Sequence, residues 1–111
     1  MNELTTSSIF ETIKHIDEKG NEYWYARELQ KVLDYSLWQN FHKVIKQARE
    51  ACNKSNYNIN DHFIDLNKMV NIGSNTKRSL VDYKLSRYAC YLIAQNGDSK
   101  KEAINKTHKE W

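Results

Sequence analysis

The chain of 111 residues lacks proline and contains only three glycines and two cysteines. Two cysteines do not make a disulfide framework, so we expect Cys52 and Cys90, each in a helical apolar pattern, to be reduced core residues. The few glycines leave no phosphate-binding loop of the GxxxxGK[ST] or GxGxxG type. Without a signal peptide or an apolar run near the roughly 20 residues that span a bilayer, the sequence predicts a cytoplasmic protein with no membrane partner.

Catalytic and metal-binding patterns are also missing from the sequence. The four histidines show no metal-ligand spacing with one another or with the cysteines, and no serine or cysteine has an obvious partner base. Asp61, Asp65 and Lys68 would resemble a nuclease triplet if the two carboxylates shared one face of a strand, but solvated strand charges explain them better. We therefore predict a non-enzymatic protein with no catalytic residue, no metal and no cofactor.

Charge is distributed unevenly along the chain. Residues 1–34 carry four Lys and Arg against seven Asp and Glu, whereas residues 35–111 carry thirteen against seven. This asymmetry indicates either a face that binds polyanions or basic side chains that only solvate helix surfaces, and charge alone does not separate the two.

Hydrophobic periodicity predicts two β-hairpins. Ile13–Asp17 and Glu22–Tyr25 are extended segments on either side of a turn that contains Gly20. The second hairpin is predicted from Phe63–Val70 and Lys77–Leu85, joined by the flexible turn NIGSNT. Two cations, Lys77 and Arg78, lie at the tip of this second hairpin. Such an arrangement is typical of a wing that contacts a phosphate backbone, and also of an edge strand that is protected from aggregation.

Helical patterns fill the rest of the chain. Ala26–Asp34 predicts a two-turn amphipathic helix, and Ser36 is predicted to cap the longer helix that follows it. The apolar stripe of that longer helix consists of Trp38, Phe41, Val44, Ile45, Ala48 and Cys52.

The stretch DYKLSRYACYLIAQNGD predicts a buried central helix. Ser86 would cap its start, Tyr91 would lie in the core, and Gly97 would end it in the left-handed conformation. A capping-box pattern at Ser99–Glu102 predicts a last helix. The sequence thus predicts an α+β fold in which two β-hairpins form a small antiparallel sheet packed with about four helices.

Three stretches carry a resemblance to a known family: GNEYWYARELQKVL at 20–33, DHFIDLNKMVNIGS at 61–74 and DYKLSRYACYLIAQNGD at 82–98. They resemble the Bro-N domain of phage antirepressors and baculovirus repeated-ORF proteins. The resemblance implies an α+β domain of hairpins and helices that binds DNA. Members induced by DNA damage in bacteria further imply SOS induction and modulation of a RecA-type recombinase filament. The family offers no catalytic residue to carry over.

The resemblance runs from about residue 10 to residue 102 of the sequence. We expect a Bro-N-like domain over residues 1–104 and a C-terminal tail over residues 105–111. The tail, NKTHKEW, does not look like the long helical region that continues in family members, so we expect a truncated or frameshifted copy, or a shortened homologue.

Two functions of different classes fit these features. The first is a DNA-binding regulatory module of an SOS-response protein, and the second is a protein-interaction module that acts on a recombinase filament or a repressor, with DNA binding incidental. The sequence decides neither the DNA sequence preference nor whether the chain forms a homo-oligomer. The candidate phosphate contacts of the first function are cations on the long helix, at the second hairpin tip and at the start of the central helix: Lys43, Lys46, Arg49, Lys77, Arg78, Lys84 and Arg87.

Overall fold

A computed structural model describes the backbone of residues 6–97 and the side chains of residues 10–97. The helix predicted from Ser99–Glu102 and the tail predicted at residues 105–111 lie outside the described residues. Within them, the predicted α+β class is confirmed. The elements, in chain order, are α1 (Thr6–Ile13), β1 (His15–Ile16), β2 (Glu22–Tyr25), α2 (Ala26–Val32), α3 (Trp38–Lys54), α4 (Ile59–His62), β3 (Phe63–Gly73), β4 (Thr76–Leu85) and α5 (Arg87–Asn96).

One antiparallel sheet joins both predicted hairpins in the order β1-β2-β4-β3. The two hairpins meet only at their bases, where Trp24 lies opposite Leu85 and Tyr25 opposite Lys84. The turn of the first hairpin contains Gly20 at φ 86°, the left-handed region in which glycine carries no Cβ penalty. The predicted pairing of two hairpins into a small sheet is therefore confirmed.

The second hairpin is longer than predicted. Its strands pair from Phe63 opposite Leu85 to Gly73 opposite Thr76, with one irregularity between Asn71 and Gly73. Most of the NIGSNT segment thus continues the two strands. The remaining turn contains Asn75, which takes a left-handed φ of 60°. An asparagine tolerates this conformation, so the turn needs fewer flexible residues than the sequence suggested.

Side chains alternate between two faces of the β3–β4 hairpin, and directly opposite residues share a face. We call the face that carries Phe63, Tyr83 and Leu85 the inner face. At the base of the hairpin these three side chains are buried. They belong to one hydrophobic core with side chains of the sheet, of α3 and of α5, among them Trp24, Phe41, Ile45, Cys52, Cys90 and Ile93.

Beyond this core the hairpin continues as a two-stranded arm, residues 66–81. Every residue of the arm is exposed except Leu66, Val70 and Leu80, which are partly buried. No third strand of the described sheet covers the arm, because β2 reaches β4 only at its base. A two-stranded ribbon is marginally stable by itself, so the order of the arm depends on how its root is held.

The ends of the long helices differ in part from the prediction. The Ser86 hydroxyl caps α5 as predicted, because its Oγ accepts from the backbone N–H of Ala89 at 3.0 Å. Gly97 was predicted in the left-handed conformation and this is wrong: its φ of −77° and ψ of 176° are extended. The N-cap of α3 is Leu37 rather than Ser36, and no side-chain cap hydrogen bond forms there among the described residues.

The predicted core is largely confirmed on α3 and α5. Burial raises the pKa of the Cys90 thiol well above its ordinary range, which makes it an inert core residue. Tyr91 was predicted to be buried and this is wrong, because it is 38% exposed and its hydroxyl accepts from the Gln95 amide at 2.8 Å. None of the helices in residues 6–97 is long and apolar enough to cross a membrane.

Candidate nucleic-acid interface

The root of the arm is organised by Asp82, a side chain with no solvent exposure. The N-cap of the adjacent helix α2 is Tyr25, which makes no side-chain cap bond to a described residue. Oδ1 of Asp82 fills that role by accepting from the backbone N–H of Arg27 at 3.0 Å, and it also accepts from the N–H of Tyr83 at 2.8 Å. Because helix N-termini carry unpaired N–H groups and a partial positive charge, α2 is capped from strand β4.

The second carboxylate oxygen of Asp82 faces Lys68. The Lys68 Nζ lies 3.0 Å from Oδ2, although Oδ2 makes no directed hydrogen bond within the described residues. The same ammonium lies 3.8 Å from the centroid of the Tyr25 ring. A buried charge needs a partner of opposite sign, and Lys68 supplies it while tying β3 to β4 and β2.

Arg27 is fixed above this carboxylate by two further contacts. Its Nε donates to the carbonyl of Val81 at 2.9 Å, and its guanidinium carbon lies 3.9 Å from the centroid of the Trp38 ring. Arginine stacks well on tryptophan because the planar guanidinium matches the ring face. The cation therefore has a set position at the point where the arm leaves the core.

An aromatic stack continues from Trp38 across the inner face. The Trp38 ring stacks on His42 with centroids 5.3 Å apart and on Tyr83 at 6.4 Å. Nε2 of His42 lies 2.7 Å from the Tyr83 hydroxyl, and the guanidinium of Arg49 lies 5.7 Å from the Tyr83 ring centroid. With Lys46, one turn after His42 on α3, these residues form what we call the basic–aromatic cluster: Arg27, Trp38, His42, Lys46, Arg49 and Tyr83.

The pKa of His42 reflects the positive charge of this cluster. Burial lowers the pKa of His42, and the charges of Lys46, Arg49 and Arg27 lower it further, against a smaller opposing effect of Asp65. The pKa of Arg27 is also lowered, by burial and by the charge of Arg78, against the opposing charge of Asp82. The cations of α2, α3 and the arm therefore act on one another, as groups do when they share one region of the surface.

Acidic residues are few in this region. Residues 66–81 contain Lys68, Lys77 and Arg78 and no Asp or Glu, and Lys77 and Arg78 are both exposed. Asp65, 75% exposed at its side chain, lies 3.9 Å from Arg49. Such a surface, with aromatic rings among the cations at the root and further cations along the arm, is suited to a polyanion.

The structure brings some of the sequence-predicted cations together and separates others. Lys46 and Arg49 belong to the basic–aromatic cluster, and Lys77 and Arg78 lie along the arm. Lys43 stands about 120° around α3 from Arg49 and lines a shallow cleft with Asn40, Gln47 and Asn96.

Lys84 and Arg87 lie among carboxylates. Lys84 lies on the face of the hairpin opposite the inner face. Its ammonium is 4.3 Å from the centroid of the Tyr23 ring, in a cleft that Asp17, Glu22 and Asp61 also line. Arg87 contacts Glu22 at 2.6 Å and Glu11 at 3.1 Å. These two carboxylates raise the pKa of Arg87, and they give its charge a partner within the protein.

Sequence reasoning missed Arg27 and Asp82. Arg27 belongs to the acidic first third of the chain, so its position beside α3 cations could not be read from charge distribution. A usable signal was present at the start of α2, where Tyr25-Ala26 offers no side chain that caps a helix well. A helix that lacks its own cap needs one from a distant segment, and Asp82 provides it.

The triplet of Asp61, Asp65 and Lys68 does not form a site. Asp61 lies in α4 rather than on a strand, so Asp61 and Asp65 do not share a strand face as the triplet would require. Asp65 and Lys68 stand three residues apart on β3 and therefore point to opposite faces. Among residues 6–97, no group of three or more His, Cys, Asp or Glu side chains is placed to hold a metal ion.

Comparison with known proteins places this architecture in a family. The BRO family, N-terminal domain (Bro-N), matches residues 12–109. DNA damage-inducible protein D of Escherichia coli (strain K12) is 53% identical over 95 residues, which are 86% of this chain and 35% of that protein. The chain thus spans well under two thirds of this relative, and no solved structure matches it. By its sequence over residues 12–109, the chain belongs to the BRO family as a Bro-N domain.

Proposed function

We propose that this Bro-N domain is a DNA-binding, non-enzymatic regulatory module of the bacterial response to DNA damage, the SOS response. The observation that supports DNA binding is the basic–aromatic cluster, whose cations come from two helices and meet the charge of Arg78 on the arm. The damage-response context comes from the relative named DNA damage-inducible protein D.

The proposed contacts go to phosphates. Arg27 is held by the Trp38 ring and the Val81 carbonyl, so little side-chain entropy is lost when its guanidinium meets a phosphate. Lys46 is exposed on α3, and its flexible ammonium can attract a phosphate without a fixed hydrogen-bond geometry. Contacts of this kind fix a protein on the duplex without reading its sequence.

The test is a salt titration of the whole chain on a short labelled duplex, followed by fluorescence anisotropy. Binding through the five cations Arg27, Lys46, Arg49, Lys77 and Arg78 predicts a slope of about −4.5 for the logarithm of the association constant against the logarithm of salt concentration. A flat response would contradict the proposal, because neutralised phosphates must release counterions.

A matched pair of variants localises the contact. Lys46→Ala should reduce the magnitude of the slope by about 0.9, the share of one phosphate. Lys43→Ala makes the same change of charge on the same helix, on the side that faces Asn96, and should leave the slope unchanged. Equal losses in the two variants would mean that the charge of α3, and not the cluster, attracts DNA.

A protein-interaction module is the second candidate, and exposed apolar side chains of the arm favour it. Met69 is 63% exposed, Ile72 57% and Val81 41%, and such residues can contact a protein surface. The partner class is a recombinase filament or a repressor. Lys77→Ala/Arg78→Ala separates the two functions: if disassembly of a preformed filament survives while DNA binding is lost, protein interaction is the main function.

A further inference from the structure

The inner face of the arm carries five uncharged side chains between the basic–aromatic cluster and Lys77. Asn67 lies opposite Val81, Met69 opposite Ser79, and Asn71 opposite Lys77. All six are exposed, and they continue the face on which Tyr83 meets the basic–aromatic cluster. A surface that only held phosphates would not need this ordered set of amide, hydroxyl and apolar groups.

Cations lie at both ends of this uncharged set, Arg27 at the root and Lys77 near the tip. Arg27 donates to the Val81 carbonyl. Lys77 precedes Val81 by four residues on the same strand and the same face, towards the tip of the arm. At the rise of an antiparallel strand the backbone positions of Val81 and Lys77 are about 13 Å apart, which is of the same order as the roughly 12 Å width of the major groove. Arg27 at the root and Lys77 near the tip can therefore reach phosphates on opposite sides of that groove.

The shape of the arm also fits the major groove of DNA better than the minor groove. A two-stranded ribbon fits into it without deforming B-DNA, whereas the minor groove, about 6 Å wide, would have to be opened. The arm is exposed along both strands, and the sequence of residues 66–81 contains no carboxylate that would repel the phosphates.

A second copy of this chain fits the arm less well. Pairing of two arms would bring Lys77 and Arg78 of each copy together without a carboxylate from either arm, whereas Lys68 is already paired with Asp82. Like charges on neighbouring strands are destabilising, so the charge of the arm complements a polyanion and not itself.

We propose that the inner face of the arm lies in the major groove and reads base edges, which makes DNA binding sequence-specific. This inference rests on the proposed function. The Asn67 amide offers one donor side and one acceptor side, the pair that recognises N7 and the exocyclic amine of adenine. Met69 and Val81 provide apolar contact for the 5-methyl group of thymine, so the preferred site contains A·T pairs.

The first step of the test is selection of duplexes from a random library with the whole 111-residue chain. A preferred motif with A·T pairs is expected. Within the selected duplex, 7-deazaadenine removes the N7 acceptor and uracil removes the thymine methyl group, both from the major groove only. At the contacted pairs, replacement of adenine by 7-deazaadenine should weaken binding by at least about fivefold, and uracil should weaken it measurably.

The second step assigns the reading to the arm. Asn67→Ala should flatten the preference at one base pair and leave the salt slope unchanged. Asn53→Ala is the matched control, because Asn53 is an exposed asparagine of α3 outside the arm, and it should retain the full preference. Both substitutions lie at exposed positions, and a thermal unfolding curve checks that each variant is folded.

The outcomes separate this inference from the function on which it rests. Salt-dependent binding with no sequence preference, or a preference insensitive to both base analogues, would overturn groove reading and leave the DNA-binding module standing. An unchanged preference in Asn67→Ala would likewise overturn it. Absence of any DNA binding would overturn the proposed function and the inference together.

Discussion

Asp82 connects three parts of the molecule through one buried carboxylate. It caps α2, bonds its own strand and pairs with Lys68 of β3, so the root of the arm and the position of Arg27 depend on the same group. Burial of an ion pair is not by itself stabilising, but removal of one partner leaves a buried or unpaired charge and is costly.

Asp82→Ala should lower the free energy of unfolding by about 3 kcal/mol, because it removes the α2 cap and the partner of Lys68 together. Asp82→Asn should cost less, since its amide oxygen still accepts from the two backbone N–H groups. Urea unfolding at neutral pH measures both. Asp65→Ala is the control on β3: its carboxylate is largely exposed, so a loss as large as that of Asp82→Ala would contradict this role for burial.

His42 links the basic–aromatic cluster to pH. Burial and three neighbouring cations hold its pKa below the ordinary value, so the unfolded chain takes up a proton at a pH at which the folded chain does not. Stability therefore falls as pH drops through the unfolded value of about 6.5. A polyanion bound at the cluster, as proposed, would reverse this field and raise the pKa of His42, so protonation would favour the complex.

DNA affinity should consequently rise as pH is lowered from about 7.5 to about 6 at constant ionic strength, the range in which histidine titrates. In His42→Gln the rise should be smaller, because the variant keeps a polar side chain but cannot gain charge. Anisotropy titrations at several pH values measure the effect. An identical pH dependence in the variant would assign the proton uptake to another group and remove His42 from the interface.

At the scale of elements, the arm is the least supported part of the sheet. It has two strands, exposed faces and a turn in which Asn75 takes a positive φ. A β-branched residue is strained in that conformation by roughly 1–2 kcal/mol, whereas glycine is not. Local opening of such a unit costs less than global unfolding.

Asn75→Val should therefore speed amide hydrogen exchange in residues 67–80 by about 5- to 30-fold, the equivalent of that strain. The melting temperature should fall by several degrees, because the strain is also released on global unfolding, and in both proteins the arm amides should exchange faster than the α3 amides. Asn75→Gly removes the Cβ that causes strain at this φ, so the arm amides should remain protected from hydrogen exchange. Equal free energies of exchange in α3 and the arm would show that the arm and the core open as one unit.

The elements themselves were predictable where a local pattern suffices. The stripe on α3, the Ser86 cap and both hairpins follow from spacings within one segment, and each is present. The length of the second hairpin was not predictable, because Asn71 and Gly73 also favour turns and only pairing across the ladder holds them in strands. Gly97 was misjudged for a related reason: a glycine after a helix permits the left-handed conformation but does not impose it.

The candidate site was less predictable than the fold. Lys46, Arg49, Lys77 and Arg78 could be proposed from their cation type and predicted element. Whether a cation meets a carboxylate depends on contacts between distant segments, such as the 65 residues that separate Glu22 from Arg87. The same limit hid Arg27, whose place in the cluster depends on Asp82 and Trp38.

At the scale of the molecule, the cations divide into two groups with different surroundings. Lys77 and Arg78 lie on an arm without carboxylates, whereas Arg87 joins α5 to Glu22 of β2 and Glu11 of α1. A charge that is paired inside the protein stabilises the fold and contributes less to the attraction of DNA. A charge on the carboxylate-free arm can attract a polyanion and contributes little to the stability of the fold.

This division predicts opposite effects of two charge removals. Lys77→Ala/Arg78→Ala should reduce the salt slope by about 1.8 and leave the melting temperature nearly unchanged, because both residues are exposed on the arm. Arg87→Ala should lower the melting temperature by a few degrees, an effect limited by solvent screening of half-exposed ion pairs, and should change the salt slope little. Calorimetry and anisotropy on the same preparations measure both quantities. If Arg87→Ala reduced the slope as much as one arm cation does, the carboxylates around it would not be neutralising it, and the DNA surface would extend from the arm to the start of α5.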